Sequence, residues 1–342
     1  MSASASTTSP LARDVGFAFQ RAQPPLAVRI GTAVAMYGLA TPLVRGAELF
    51  GFADRMLGAM FGGAQRQEEQ ADHFKGYTPG RHDVFVAVYI KSGTNWTMQM
   101  AHQLLFHGQA DFAHIHTVVP WPDAPPMLGA KYAIPIADPS VWQASPERKR
   151  VIKSHLPWER LPYSEDARYI LVIRDPKDVY VSSYFFLRDA AFGPAMPSPK
   201  TWLKLMLSGK GAFGAWAEHT AGYWAQRHRP NVLVLSFKAM KRDLPGTVRK
   251  IADFLNVDAQ QTVLDEVCRK SSFGYMKSID HKFASEARFP WNKPAPMIRK
   301  GRQGGSSELL TLEQQREMDA HFIAEFKRLG SDFLYEEFCD LA

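Results

Sequence analysis

Lys91, Ser92, Gly93 and Thr94 follow one another directly, and residues of these types in a row can hold an anion. Lysine brings a positive charge, serine and threonine bring hydroxyl donors, and glycine lets main chain approach a ligand closely. Lys153 and His155 form a second group, Arg174 a third, and Arg299, Lys300 and Gly301 a fourth. Imidazole exchanges a proton near neutral pH, and guanidinium grips a phosphate at two points. Each group alone also has a structural explanation: a turn with an exposed lysine, a strand-end histidine with a structural hydrogen bond, a solvated basic loop.

The elements around these residues give them a common place. Residues 84–90 are a run of β-formers, and after Trp96 apolar residues recur at Ala101, Leu104 and Leu105 with no breaker before Gly108. A strand, a turn and a helix start in that order aim free N–H groups and the positive end of the helix dipole at whatever sits over the turn. The lysine precedes the glycine, so this is not the Walker pattern. Residues 151–152 form a second short strand before Lys153, and residues 169–173 a third before Arg174. Asp175 then reads as an N-cap, Pro176 as the first helical residue, and Asp178 as the return half of a capping box. Residues 232–235 form a fourth strand, followed by Asp243 as N-cap of a helix with Leu244, Val248, Ile251 and Leu255 on one face.

Near-continuous apolar strands separated by helices predict a parallel sheet covered on both sides, a three-layer α/β/α architecture. Ligands bind such sheets beyond the carboxyl ends of the strands, where Lys91, Lys153, His155 and Arg174 fall. Lys153 and His155, two apart on a strand, point to the same face.

Composition narrows the classes. The 342 residues carry 41 Lys+Arg against 34 Asp+Glu, a net +7, which suits an anionic ligand, nucleic acid or an acidic membrane surface. Two cysteines, Cys268 and Cys339, give no disulfide framework, and His114 and His116 stand outside any H-E-x-x-H pattern, so no metal is expected. Residues 1–25 read as loosely ordered, without the charged start of a signal peptide, and residues 26–80 as an apolar, amphipathic extension before a main domain over 81–342. Residues 30–44 are uncharged, but a spanning helix needs about 20 apolar residues. Residues 26–63 are therefore expected to pack on the main domain or a partner, or to lie along a membrane. Residues 65–72 read as a polar connector, and 120–145, with Trp121 and Trp142, as irregular. Tyr184, Phe185, Phe186, Phe192, Trp202, Phe213 and Trp216 are mostly core, yet their concentration suggests an apolar pocket wall.

Taken in order, these four groups resemble the motifs of the cytosolic-type sulfotransferases over most of the chain, from about 83 to 333. The resemblance implies the P-loop-nucleotide-kinase-like fold of that family and 3′-phosphoadenosine 5′-phosphosulfate (PAPS) as sulfate donor, with PAP as product and no metal. It implies that Lys91, Ser92, Gly93, Thr94 and Asn95 hold the 5′-phosphosulfate and that Trp96 stacks on adenine. Arg174, Ser182, Arg299, Lys300 and Gly301 are implied for the 3′-phosphate, and Ser271 and Phe273 for the nucleoside. His155 is implied as general base, Lys91 as donor to the bridging oxygen, Lys153 as support for the transferring sulfonate, and Ser182 as a restraint on Lys91 until acceptor binds.

Three departures stand out. Phe237 occupies a position that is usually tyrosine, Gly304-Gly305-Ser306 replaces the usual Gly-Asp-Trp context, and Ser307 and Arg316 depart from the family's dimer motif. Oligomeric state is thus left open. The aromatic content favours a hydroxyl on a lipophilic small molecule or lipid as acceptor over a long polyanionic sugar chain, with a carbohydrate as the alternative and no nucleic-acid partner expected. A cytoplasmic enzyme, in contact with a membrane or not, fits this reading. A P-loop kinase or NTPase would need a Walker lysine and a metal-holding acid, and a non-catalytic membrane scaffold would not need Lys91, Lys153 and His155.

Overall fold

The computed structural model describes residues 25–124, 133–284, 296–301 and 304–342. The expectation of a loosely ordered start and the basic residue Arg302 lie outside them, apart from Pro25. An N-terminal helical layer comes first: α1 (Leu26–Ala33), a π-helical stretch (Val34–Ala40), α2 (Thr41–Leu49) and α3 (Ala53–Gln70). The first three run on as one helix, Leu26–Leu49, of 24 residues, long and apolar enough to cross a membrane. The sequence reading stopped this segment short because it counted only the uncharged run. Residues 65–70 are helical too, since Gln, Arg and Glu are good helix formers even where no apolar stripe marks them.

The main domain alternates strand and helix. It contains β1 (Asp83–Val88), α4 (Thr94–Leu105), α5 (Ser140–Ala144), β2 (Arg150–Ser154), β3 (Arg168–Ile173), α6 (Pro176–Leu187), α7 (Pro199–Leu207), α8 (Trp216–Trp224) and β4 (Val232–Ser236). After these follow α9 (Phe237–Arg242), α10 (Leu244–Leu255), α11 (Gln261–Ser271), α12 (Phe273–Ser278), α13 (Leu312–Arg328) and α14 (Tyr335–Phe338). Among the described residues the strands form one parallel sheet in the order β2-β1-β3-β4. Residues of β1 alternate between two apolar layers, Val84, Val86 and Val88 packing with α4 and α10, and Phe85 and Ala87 with Tyr169, Leu171 and Tyr223. That double coverage is why the strands are apolar at every position.

At the amino ends of the strands a buried pair, Arg150 Nε to Asp83 Oδ1 at 3.0 Å, ties β2 to β1, and Tyr77 bonds both partners. The carboxyl ends are left to the site. Helix starts follow the expected chemistry: Asp175 accepts from Lys177 N with Pro176 behind it, and Asp243 accepts from Gly246 N. Asp178 does not close a capping box. Its Oδ1 instead accepts from the main-chain N–H of Gly305, 127 residues away, a tertiary contact that local pattern cannot foresee.

Candidate active site

One cavity, with about 1730 Å³ of space including its open mouth, lies over the carboxyl ends of β1, β2 and β3. Its floor is the turn between β1 and α4. Gly93 caps α4 at φ 102°, and a Cβ there would meet Phe237 Cδ2 at 2.9 Å. Only glycine fits such a position comfortably. Lys91 is also left-handed, at φ 63°, a backbone that costs a non-glycine residue about 1 kcal/mol. No side chain caps α4, so its first-turn N–H groups keep their capacity for an anion.

Around this turn the cations converge. Arg174 Nη1 donates to the Lys91 carbonyl at 2.8 Å, Arg174 Nη2 lies 3.4 Å from Asp178 Oδ2, and its guanidinium sits 4.4 Å from the Phe237 ring centre. Phe237 therefore supports both Gly93 and Arg174, where the sequence showed only a departure from the usual tyrosine. Lys91 Nζ rests 4.2 Å from the Phe186 ring centre and Lys153 Nζ 3.1 Å from that of Trp121. Burial, with Arg174 nearby, lowers Lys91 to about 8; burial, opposed by Asp123, lowers Lys153 to about 7. A cavity that presses its lysines toward neutrality is short of negative charge.

His155 lies just past β2. Its Nδ1 faces the Val88 carbonyl at 2.8 Å, and a carbonyl only accepts, so in the neutral ring Nδ1 carries the hydrogen and Nε2 keeps its lone pair. Burial first, then Lys153, holds its pKa well below the usual imidazole value. The His155 main-chain N–H donates to Asp123 Oδ2 at 2.7 Å, while Asp123 Oδ1 is buried without a hydrogen-bond partner.

Nearly all the site residues expected from sequence line this cavity: Lys91, Gly93, Thr94, Asn95, Trp96, Lys153, His155, Arg174, Ser182, Ser271, Phe273, Arg299, Lys300 and Gly301. Ser92 does not. It is fully buried beneath the turn, with its N–H bonded to the Tyr89 carbonyl and its Oγ without a partner. Trp96 is braced by a bond from Nε1 to the Ser271 carbonyl at 2.7 Å and by Phe237 at its edge. Arg299 and Lys300 are both paired with Glu308, at 2.7 and 2.8 Å. Gly301, at φ 57°, lies so close to Phe273 that a Cβ would meet that ring at 2.2 Å.

Asp123, His114, His116, Trp121, Lys241 and Glu308 also border or brace the site and had no assigned role in the sequence reading. The irregular 114–124 segment reaches it because Lys153 N donates to the Pro120 carbonyl at 2.9 Å. His116 stacks on Trp121, which meets His155 edge-on. Among the described residues no group of three or more His, Cys, Asp or Glu is placed to hold a metal.

A family model described as "Sulfotransferase domain" matches residues 81–330. The chain belongs to the sulfotransferase family. Sulfotransferase 1C2 of Oryctolagus cuniculus is 28% identical over 270 residues, covering 74% of this chain and 86% of its own. Sulfotransferase 2A6 of Mus musculus is 31% identical over 246 residues, covering 70% and 82%. Among solved structures, retinol dehydratase in complex with androsterone and inactive cofactor PAP aligns at TM-score 0.63 and 21% identity, over 78% of this chain and 86% of its own. Mouse sulfotransferase SULT7A1 complexed with PAP aligns at TM-score 0.58 and 22% identity, over 76% and 90%. The sulfotransferase fold expected from the motifs is thus the observed one, and the chain is a sulfotransferase enzyme.

Proposed function

We propose that this sulfotransferase moves a sulfuryl group from PAPS to a hydroxyl of a lipophilic small molecule or lipid, with residues 81–342 as the catalytic domain. The observation that carries this reading is the Arg174 guanidinium bonded at 2.8 Å to the main-chain carbonyl of Lys91 at the β1–α4 turn, beside an imidazole whose Nε2 keeps its lone pair for a proton. Arg174 and Ser271 both line the cavity, where they are placed to meet a phosphate and a nucleoside. PAP in the solved sulfotransferase SULT7A1 supports the same donor here.

In this reading the acceptor oxygen bonds to sulfur as the sulfur–oxygen bond to the phosphate breaks. PAP leaves with that electron pair, and the acceptor proton passes to His155 Nε2. Lys91 donates to the bridging oxygen as charge grows there, a contribution on the order of 3 kcal/mol, and Lys153 neutralises the transferring sulfonate. Gly93, Thr94 and Asn95 offer main-chain and side-chain donors to the 5′ end, Trp96 and Phe273 offer ring faces to the base, and Arg174, Ser182, Arg299, Lys300 and Gly301 take the 3′ end. The placement of Ser92 leaves its donor role to the family resemblance alone.

Trp121, Phe185, Phe186, Phe283 and Met297 make the remaining wall apolar, which suits a lipophilic acceptor. Androsterone and retinol occupy the related retinol dehydratase structures, and they support the same class here. A mass-spectrometric screen of alcohols, phenols, lipids and sugars with purified enzyme and PAPS tests this. Sulfated lipophilic alcohols are the expected products, and transfer only to sugars would overturn the acceptor class.

A further inference from the structure

The helix Leu26–Leu49 plays no part in the chemistry above, yet most exposed large apolar side chains among the described residues lie on it and just beyond. Leu26, Val28, Ile30, Val34, Leu39 and Leu43 are each more than half exposed, and Leu49 and Phe50 about four-fifths. Only 6% of its apolar window is buried. At about 100° per residue in the α-helical part and less in the π-helical Val34–Ala40, Leu26, Ile30 and Val34 fall on one side, Val28 on the opposite one, and Leu39 and Leu43 between them. A second copy of the chain would cover a stripe and leave a polar back, whereas a helix apolar all round belongs in a lipid medium.

We propose that residues 26–43 insert into one leaflet of an anionic membrane and hold the acceptor pocket beside the lipid. Depth follows from how the helix is docked. Val44 and Ala47 are buried, Arg45 donates to the carbonyls of Pro194 and Met196, and Glu48 accepts from Ser198 and Thr201. The helix is thereby fixed to the domain through residues 44–48, with Val34–Ala40 already running beside Gly193–Ala195. From residue 26 to residue 43 the axis runs about 25 Å at ~1.5 Å per residue, longer than the ~15 Å hydrocarbon depth of a single leaflet, so the helix enters tilted toward the membrane plane and does not cross. In that tilted placement the Arg29 side chain snorkels to the headgroup level of anionic lipid, which the exposed Arg55 also suits. The dock is also next to the pocket: Phe61 of α3 packs edge-on against Phe192, three residues after the pocket-lining Asp189.

Flotation of the full chain, added to preformed vesicles of phosphatidylcholine alone or with phosphatidylglycerol, tests this. The wild-type chain should float with the anionic vesicles, and a Leu26→Asp/Val34→Asp/Leu39→Asp variant should float at least tenfold less. PAP affinity should be equal in both, because these side chains are exposed and remote from the catalytic set. Failure of the wild-type chain to float with either vesicle overturns the proposal. So does a wild-type dimer that the variant abolishes, since a second copy then covers the face. Delivery of acceptor from the membrane rests on the sulfotransfer reading: with a long-chain alcohol in vesicles, the variant should show at least fivefold higher KM at unchanged kcat. Absence of turnover with normal flotation would sink that reading and leave the anchor standing, whereas equal KM in both would overturn the delivery role.

Discussion

Arg174 donates its Nη1 hydrogen to the main-chain carbonyl of Lys91 at 2.8 Å. The two cations proposed for the 3′ and 5′ ends of the donor are therefore mechanically joined, and loss of the arginine removes both a phosphate ligand and a brace for the lysine's left-handed backbone. Arg174→Ala should weaken PAP binding on the order of 10- to 100-fold, the range of a lost charge-assisted contact. Arg174→Lys should recover part of the charge but not the brace. Calorimetry with PAP is the check, and unchanged affinity in the alanine variant would remove Arg174 from the donor site.

His155→Ala should leave PAP affinity nearly intact while lowering kcat about 10²- to 10⁴-fold, the usual contribution of a positioned base. The pH profile follows from the same environment. Burial and Lys153 hold His155 well below the usual imidazole value, so it is already neutral at pH 7 and the acid limb of kcat/KM should lie below about 6.5. On the alkaline side Lys153, lowered to about 7 by burial, and then Lys91, lowered to about 8 by burial and by Arg174, lose their protons as pH rises through those values, and donor capture should fall with them. An acid limb above pH 7 would contradict the base assignment.

Much of this was legible because local chemistry fixes it. The sheet followed from apolar runs, and the starts of α6 and α10 from Asp175, Pro176 and Asp243, since strands buried on both faces and capped helix starts leave marks within a few residues. The cations past the strand ends followed from the sheet. What was not legible depends on distant partners. Asp178 reaches Gly305 instead of capping its own helix, Phe237 supports Gly93 and Arg174, and Asp123 holds His155 from an irregular segment. Residues 65–70 were misread because helix propensity there acts without an apolar stripe, and Ser92 because a motif specifies residue type but not which way a side chain faces.

Arg299 and Lys300 share one carboxylate, Glu308, at 2.7 and 2.8 Å. The hydrogen bond from Arg299 leads in holding that carboxyl down to about 2, against the upward push of burial and with help from Lys300, so it is ionised throughout the working range and competes with phosphate for both cations. Glu308→Gln should tighten PAP binding roughly two- to fivefold, matching an exposed ion pair worth up to about 1 kcal/mol. Weaker binding in this variant would mean that Glu308 positions the loop for the ligand and does not compete with it.

The last prediction concerns the joint between the N-terminal helix and the domain. Glu48 Oε1 accepts from Ser198 N at 2.6 Å and Thr201 Oγ1 at 2.8 Å, and Oε2 accepts from Arg45 at 2.7 Å. Burial raises its pKa, but the hydrogen bonds from Ser198, Arg45 and Thr201 outweigh that and hold it at about 2 against an ordinary 4.5. A depressed carboxylate stabilises the folded form fully above about pH 4.5 and loses that contribution as pH falls toward 2. Glu48→Gln keeps the size, loses the charge, and should melt several degrees below the wild-type chain at pH 7. The gap should narrow steadily as pH is lowered from about 4.5 toward 2, because the unfolded wild-type chain takes up a proton there that the folded Glu48 resists. Thermal melts of both proteins across that window decide it: a gap that stays constant with pH would show that the Glu48 joint holds by shape and not by charge.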